Sequence, residues 1–168
     1  RGALEMLVQS EVEAIYVVDS FGSLYSEQIH ALYDMFMESC KGTKIEVGIH
    51  AHNNRQLAFA NTIEATVRGA NCVDASFAGL GRGAGNCQME LLLGFLHNPK
   101  FRLRPVLECI EQHIEPMRAE LMWGYDYHYM VTGLLTSTRV QRWPATPRRT
   151  AARSSNSSIR CKKISRPL

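Results

Sequence analysis

The sequence contains no apolar run near the ~18 residues that a bilayer crossing needs, and no basic-then-apolar signal segment opens it. A soluble, cytoplasmic protein with no membrane partner is the expectation. It also lacks any Cys-x-x-Cys. The five cysteines (Cys40, Cys72, Cys87, Cys109 and Cys161) are odd in number and widely spaced. That pattern argues against a disulfide framework or a zinc knuckle and predicts reduced thiols, mostly buried. The first residue is Arg1 rather than Met, which suggests an upstream part.

Acid is missing from one end. All 16 Asp and Glu lie in residues 1–135, with 10 Lys and Arg, whereas residues 136–168 carry 9 basic groups and none of the opposite sign. This tail is Arg, Ser, Thr and Pro without a hydrophobic period, so it buries too little to offset ordering entropy and is expected to be disordered. A nucleic-acid-binding arm would want repeated aromatic or glycine spacing, which is absent. Out-of-frame or vector-derived sequence is the favoured reading.

The remainder is 45% apolar over the whole chain, enough for one packed core. Residues 14–18, 44–49 and 71–75 read as short buried strands, rich in β-branched residues or Cys. Helical spacing lies between them. It runs over 26–40, with Ser23 or Ser26 as the cap, then through Ala60, Ile63, Val67 and Ala70, and then over 89–96, ended by Asn98-Pro99. Residues 105–121 read as one further amphipathic helix and 125–135 as a short one. The alternation predicts an α/β fold with a parallel sheet, either a barrel or a doubly wound sheet.

Two stretches carry chemistry. Gly48-Ile49-His50-Ala51-His52-Asn53-Asn54 ends the second predicted strand, where residues i and i+2 point to one side. His50 and His52 can thus aim two imidazoles at a single ion, a donor type that suits Zn, Fe, Ni and Cu and tolerates Mn or Co beside oxygen ligands. Taken alone, His-x-His is also what a polar strand end looks like. The second stretch, Asp74 to Asn86, places glycines at 79, 81, 83 and 85, so its backbone can approach a ligand closely. Gly79-x-Gly81-x-x-Ala84 formally fits a dinucleotide fingerprint, but no acid ends a second strand about 20 residues later.

His-x-His-Asn followed by Asp-x-Ser-x-Ala-Gly-Leu-Gly-x-Gly-Ala-Gly-Asn resembles the metal-dependent lyase and synthase superfamily of 4-hydroxy-2-oxovalerate aldolases, hydroxymethylglutaryl-CoA lyases and isopropylmalate or citramalate synthases. The resemblance runs from about Glu5 to Leu135 and is strongest over 48–93. It is most similar to the aldolases. Residues 76–86 hold no cysteine, unlike the CoA lyases, and Asn54 stands where the synthases usually have Asp.

The resemblance implies the C-terminal half of a (β/α)8 TIM barrel (1–104), short helices (105–135) and the disordered basic tail (136–168). It implies retro-aldol cleavage of a 4-hydroxy-2-oxo acid to pyruvate and an aldehyde, with a divalent cation as cofactor, Mn²⁺ first and Mg, Co or Zn as alternatives. His50, His52 and Asn86 become metal ligands. Asp19, Ser76 and Gly81 line the site, and Tyr125 assists as a catalytic residue, although burial in its helix is an equal reading. A further aspartate ligand, an arginine and an acid/base histidine are implied upstream of Arg1, so the chain alone is expected to be inactive. An acylating aldehyde dehydrogenase is the implied partner, and 108–120 a surface for it. A Claisen-type synthase and an inert remnant are the alternative readings. His30, His97, His113 and His128 read as structural or surface residues.

Overall fold

A computed structural model describes residues 2–97 and 100–136. The expectations for the basic tail beyond 136, for Cys161 and for the Asn98-Pro99 helix stop lie outside the described residues.

Three parallel strands, β1 (Ala14–Asp19), β2 (Glu46–Ala51) and β3 (Cys72–Val73), lie side by side in chain order. Helix α2 (Ser26–Cys40) joins the first pair and α3 (Ala58–Val67) the second, as a parallel sheet requires. Consecutive strands as neighbours throughout is the order of a barrel. In register, Tyr16 faces Gly48 and Gly48 faces Cys72. β3 is shorter than its sequence pattern because only two of its residues pair with β2, with a single further bridge from Ser76 to Gln88.

The core lies on one face of this sheet. Ile15, Val17, Val47, Ile49 and Ala51 pack with Ile29 and Tyr33 of α2 and Ala58 and Ala65 of α3. The opposite face carries Tyr16, Val18, Glu46 and His50, and there the expectation of fully buried strands fails: Val18 is 50% exposed. The cause is geometric, since among the described residues no layer covers that face. Tyr16 lies flat across the sheet, and a Cβ on Gly48 would stand 2.5 Å from its ring.

The cap of α2 is Tyr25 rather than Ser23 or Ser26, with the Tyr25 N–H donating to Gln28 Oε1 at 3.0 Å. α1 (Gly2–Val8) was not legible, having only Leu4 buried along it. α4 (Met89–Leu96) follows the glycine loop. The single helix expected over 105–121 is divided into α5 (Leu103–Cys109), a π turn (Ile110–Ile114) and α6 (Glu115–Leu121). Pro116 has no N–H for the i−4 carbonyl, and the widened turn before it absorbs that loss. α7 (Tyr127–Leu134) is opened by Asp126, whose carboxylate accepts from the His128 N–H. Among the described residues no helix is long and apolar enough to cross a membrane.

The expectation for cysteines holds in part: Cys40 and Cys87 are buried, Cys72 and Cys109 only partly. Burial pushes the Cys87 thiol up to about 11, so the reactive thiolate is scarce at neutral pH. Treatment of the native chain with N-ethylmaleimide at pH 7.5 should leave Cys87 unlabelled by peptide mass mapping, and unfolding in guanidinium should expose it.

Candidate metal site

His50 is the penultimate residue of β2 and His52 follows the strand, so both side chains project from one face. Their rings meet edge to face, with centroids 5.1 Å apart and planes at 76°. The extended backbone that aligns them is pinned from both sides. The His52 N–H donates to the Asp19 carbonyl at 3.2 Å, the Asn53 N–H to the Gly85 carbonyl at 2.9 Å, and the Cys87 N–H to the Ala51 carbonyl at 3.2 Å. These bonds lock the glycine loop against the end of β2 and bring Asn86 opposite His52 in an antiparallel bridge.

Asn86 donates its amide N–H to the Leu80 carbonyl at 3.2 Å, while its Oδ1 is buried and has no partner. A buried acceptor left unpaired costs about 1–3 kcal/mol, so this oxygen invites a ligand. Gly81 leaves the room: a Cβ there would stand 2.5 Å from Asn86 Nδ2. Ser76 Oγ is a second buried oxygen without a partner.

Burial, with smaller contributions from the His50 and Arg82 charges, lowers the pKa of His52, opposed by the Asp19 charge and the Gly85 backbone. The ring is held neutral, the form that offers a lone pair to an ion. Asp19 is 3% exposed, and its two carboxylate oxygens accept from Ser23 N–H (3.0 Å) and Leu24 N–H (3.1 Å). It therefore shapes the turn after β1, while its charge still acts on His52.

Tyr125 stands apart. It is 65% exposed in the link between α6 and α7, and no hydrogen bond or ring contact among the described residues joins it to the histidines. Tyr129 does reach the glycine loop, its ring lying 3.0 Å from where a Gly83 Cβ would be. His30 pairs with Glu64 and His128 with Asp126, away from the pair on β2.

Sequence reasoning did not assign several contacts around the site. Asp74, which follows β3, reaches His50, its Oδ2 3.0 Å from Nδ1. Asn53 Oδ1 accepts from the Ala58 N–H at 3.1 Å and opens α3, and Asn54 Nδ2 grips α7 through the Tyr129 carbonyl and Thr132 hydroxyl. The α6 end matters as well: Arg118 and Trp123 both donate to the Ala78 carbonyl, clamping the loop where Ala78 adopts φ 49°. Asp74, Asn53 and Asn54 all lie in the two stretches that the sequence singled out, but spacing alone did not assign them partners. Among the described residues no group of three His, Cys, Asp or Glu side chains converges as a metal site. The two imidazoles and the Asn86 oxygen are thus an incomplete but chemically suitable donor set for a divalent cation.

Comparison with known proteins places the chain in a family. A family model described as HMGL-like matches residues 3–113. The chain belongs to the HMGL-like family. Its α/β architecture is that of the family's TIM barrel, with three strands in the described residues. It is 34% identical over 146 residues to the 4-hydroxy-2-oxovalerate aldolase of Moorella thermoacetica, covering 80% of this chain and 42% of that protein. An oxaloacetate decarboxylase of Mycobacterium tuberculosis is 42% identical over 86 residues, 51% of this chain and 24% of that protein. Among solved structures, the N-terminal domain of a candidate aldolase from Bacteroides vulgatus superposes with a TM-score of 0.68 at 32% identity, covering 81% of this chain and 46% of that one. The chain thus spans about two fifths of the length of the first of these relatives.

Proposed function

We propose that this HMGL-like chain supplies the metal-holding part of a carbon–carbon lyase that cleaves a 4-hydroxy-2-oxo acid to pyruvate and an aldehyde. The observation that carries the reading is the edge-to-face His50/His52 pair beside the buried, unpartnered Oδ1 of Asn86. Residues 1–104 would form the barrel part, and 105–135 would buttress its glycine loop through the Trp123 and Arg118 bonds to Ala78.

Cleavage of the C3–C4 bond leaves its electron pair on C3 as the enolate of pyruvate while the 4-hydroxyl loses its proton. A divalent cation, Mn²⁺ in the first instance, would supply Lewis acidity for that developing charge, held by His50, His52 and Asn86. Neutral His52 offers its lone pair without first losing a proton. Gly81 keeps the Asn86 amide in place, and Asp19 fixes the turn that His52 bonds to. The Ser76 hydroxyl, buried and unpartnered, is available to a substrate oxygen. Any part for Tyr125 as a proton carrier requires the link between α6 and α7 to move inward, given its exposure. An acylating aldehyde dehydrogenase that takes the aldehyde directly is the partner this reaction would suit.

A second reading comes from the mycobacterial relative at 42% identity. Decarboxylation of oxaloacetate breaks the equivalent C3–C4 bond with CO₂ leaving, gives the same enolate, and needs no base for a hydroxyl. Both are tested by following pyruvate from 4-hydroxy-2-oxopentanoate and from oxaloacetate, using the full reading frame that contains this chain. Release from the first, abolished by EDTA and restored by Mn²⁺, is the expected result. Release only from oxaloacetate, above the Mn²⁺-catalysed background, would transfer the assignment to the decarboxylase. Neither activity, or activity indifferent to EDTA, would remove the metal lyase reading.

A further inference from the structure

We infer that Asp74 is a positioning residue: it fixes His50 in the tautomer that carries its proton on Nδ1 and so presents the Nε2 lone pair to a cation. The inference rests on the metal reading of the His50/His52 pair, but its central claim concerns the ring itself and is measurable without metal.

The geometry leaves little choice of proton position. Asp74 Oδ2 stands 3.0 Å from His50 Nδ1. An ionised carboxylate only accepts, so the imidazole nitrogen must donate, and the proton of a neutral ring then sits on Nδ1. Nε2 is left bare. An imidazole at a strand end whose one nitrogen meets an oxygen that cannot donate is the pattern expected where the remaining nitrogen is to bind an ion.

Stability does not explain the Asp74 contact. The His50 side chain is 31% exposed and that of Asp74 47% exposed, and a solvated pair of this kind contributes little to folding. Nor is Asp74 placed by the needs of β3. Its backbone N–H already extends the ladder by donating to the Ile49 carbonyl at 3.0 Å, leaving the side chain free to point along the face that carries His50. A residue with no acceptor there would serve the ladder equally well. The strand end fixes the His50 backbone, but rotation of the ring about χ2 exchanges Nδ1 and Cδ2. Only a directional partner selects one orientation and one tautomer.

The experiment is a long-range ¹H–¹⁵N correlation spectrum of the histidine rings at pH 8, recorded on the 168-residue chain without metal, with His50 assigned from its loss in His50→Gln. Zn²⁺ affinity is measured in parallel by competition with a chromophoric chelator. The wild type and Asp74→Asn, whose amide oxygen still accepts, should both show His50 as the Nδ1–H form. Asp74→Ala should shift it to the ordinary Nε2–H form and weaken Zn²⁺ binding by about 10- to 100-fold, the range for loss of such a partner. An unchanged Nδ1–H form in Asp74→Ala would overturn the inference. So would a loss of affinity in Asp74→Asn as large as in Asp74→Ala, because that would mark Asp74 as a ligand. Wild-type chain that shows the tautomer but binds no Zn²⁺ would instead remove the metal reading on which the inference rests.

Discussion

Replacing His52 by alanine should reduce metal-dependent pyruvate release from the full reading frame by more than about 100-fold, because removing a ligand costs more than removing a ligand's partner. Burial lowers the pKa of His52, so its ring is neutral and its lone pair available at neutral pH. The substitution leaves the fold largely intact, since the bonds that hold this segment run through its backbone: His52 N–H to the Asp19 carbonyl and Asn53 N–H to the Gly85 carbonyl. Circular dichroism and thermal midpoint should therefore stay near wild type while activity and Mn²⁺ affinity fall together. Activity that survives the substitution would show that the pair is a polar strand end.

Replacing Gly85 by alanine should be the most damaging single-methyl change in the molecule. A Cβ at this position would lie 2.2 Å from the Gly79 carbonyl oxygen, and the backbone sits at φ +82°. That oxygen accepts from the Asn86 N–H, and the Gly85 carbonyl accepts from Asn53, so relief of the clash must open the loop where Asn86 meets His52. A loss of about 3–5 kcal/mol is expected from strain and broken buried hydrogen bonds together. Gly42→Ala separates the two causes. Gly42 has nearly the same φ, +81°, but nothing within 4 Å of the added carbon. It should lose only the left-handed penalty of about 1–2 kcal/mol. Urea unfolding of both variants makes the comparison, and equal losses would show that the close approach to Gly79 is not what demands glycine at 85.

The sequence by itself determined the pieces that depend on local period. The two-residue repeat of a strand puts His50 and His52 on one side, and their rings do meet. The 3.6-residue stripe placed α2 and α4 at the residues where they occur, and parallel pairing followed from the alternation of strands and helices. The glycine spacing marked a loop that approaches something closely.

What it approaches was a matter for the tertiary structure. Asn86 is 34 positions from His52, and its place depends on backbone bonds between the loop and β2 that no local pattern encodes. The same holds for Asp74, which reaches His50 because β2 and β3 pair in the register Gly48 to Cys72. The division of residues 103–121 was written in Pro116, yet its form, a π turn whose Ile110 and Ile114 pack under the Ala78 loop, depended on what lay beneath. Tyr125 and Tyr129 are both tyrosines of one aromatic stretch, and composition does not separate them. The left-handed turns at Met122 and Gly124 do, leaving Tyr125 in solvent and turning Tyr129 onto the glycine loop. Local chemistry chose which side chains were available, and long-range packing, which alone sets distances between strands, chose which of them meet.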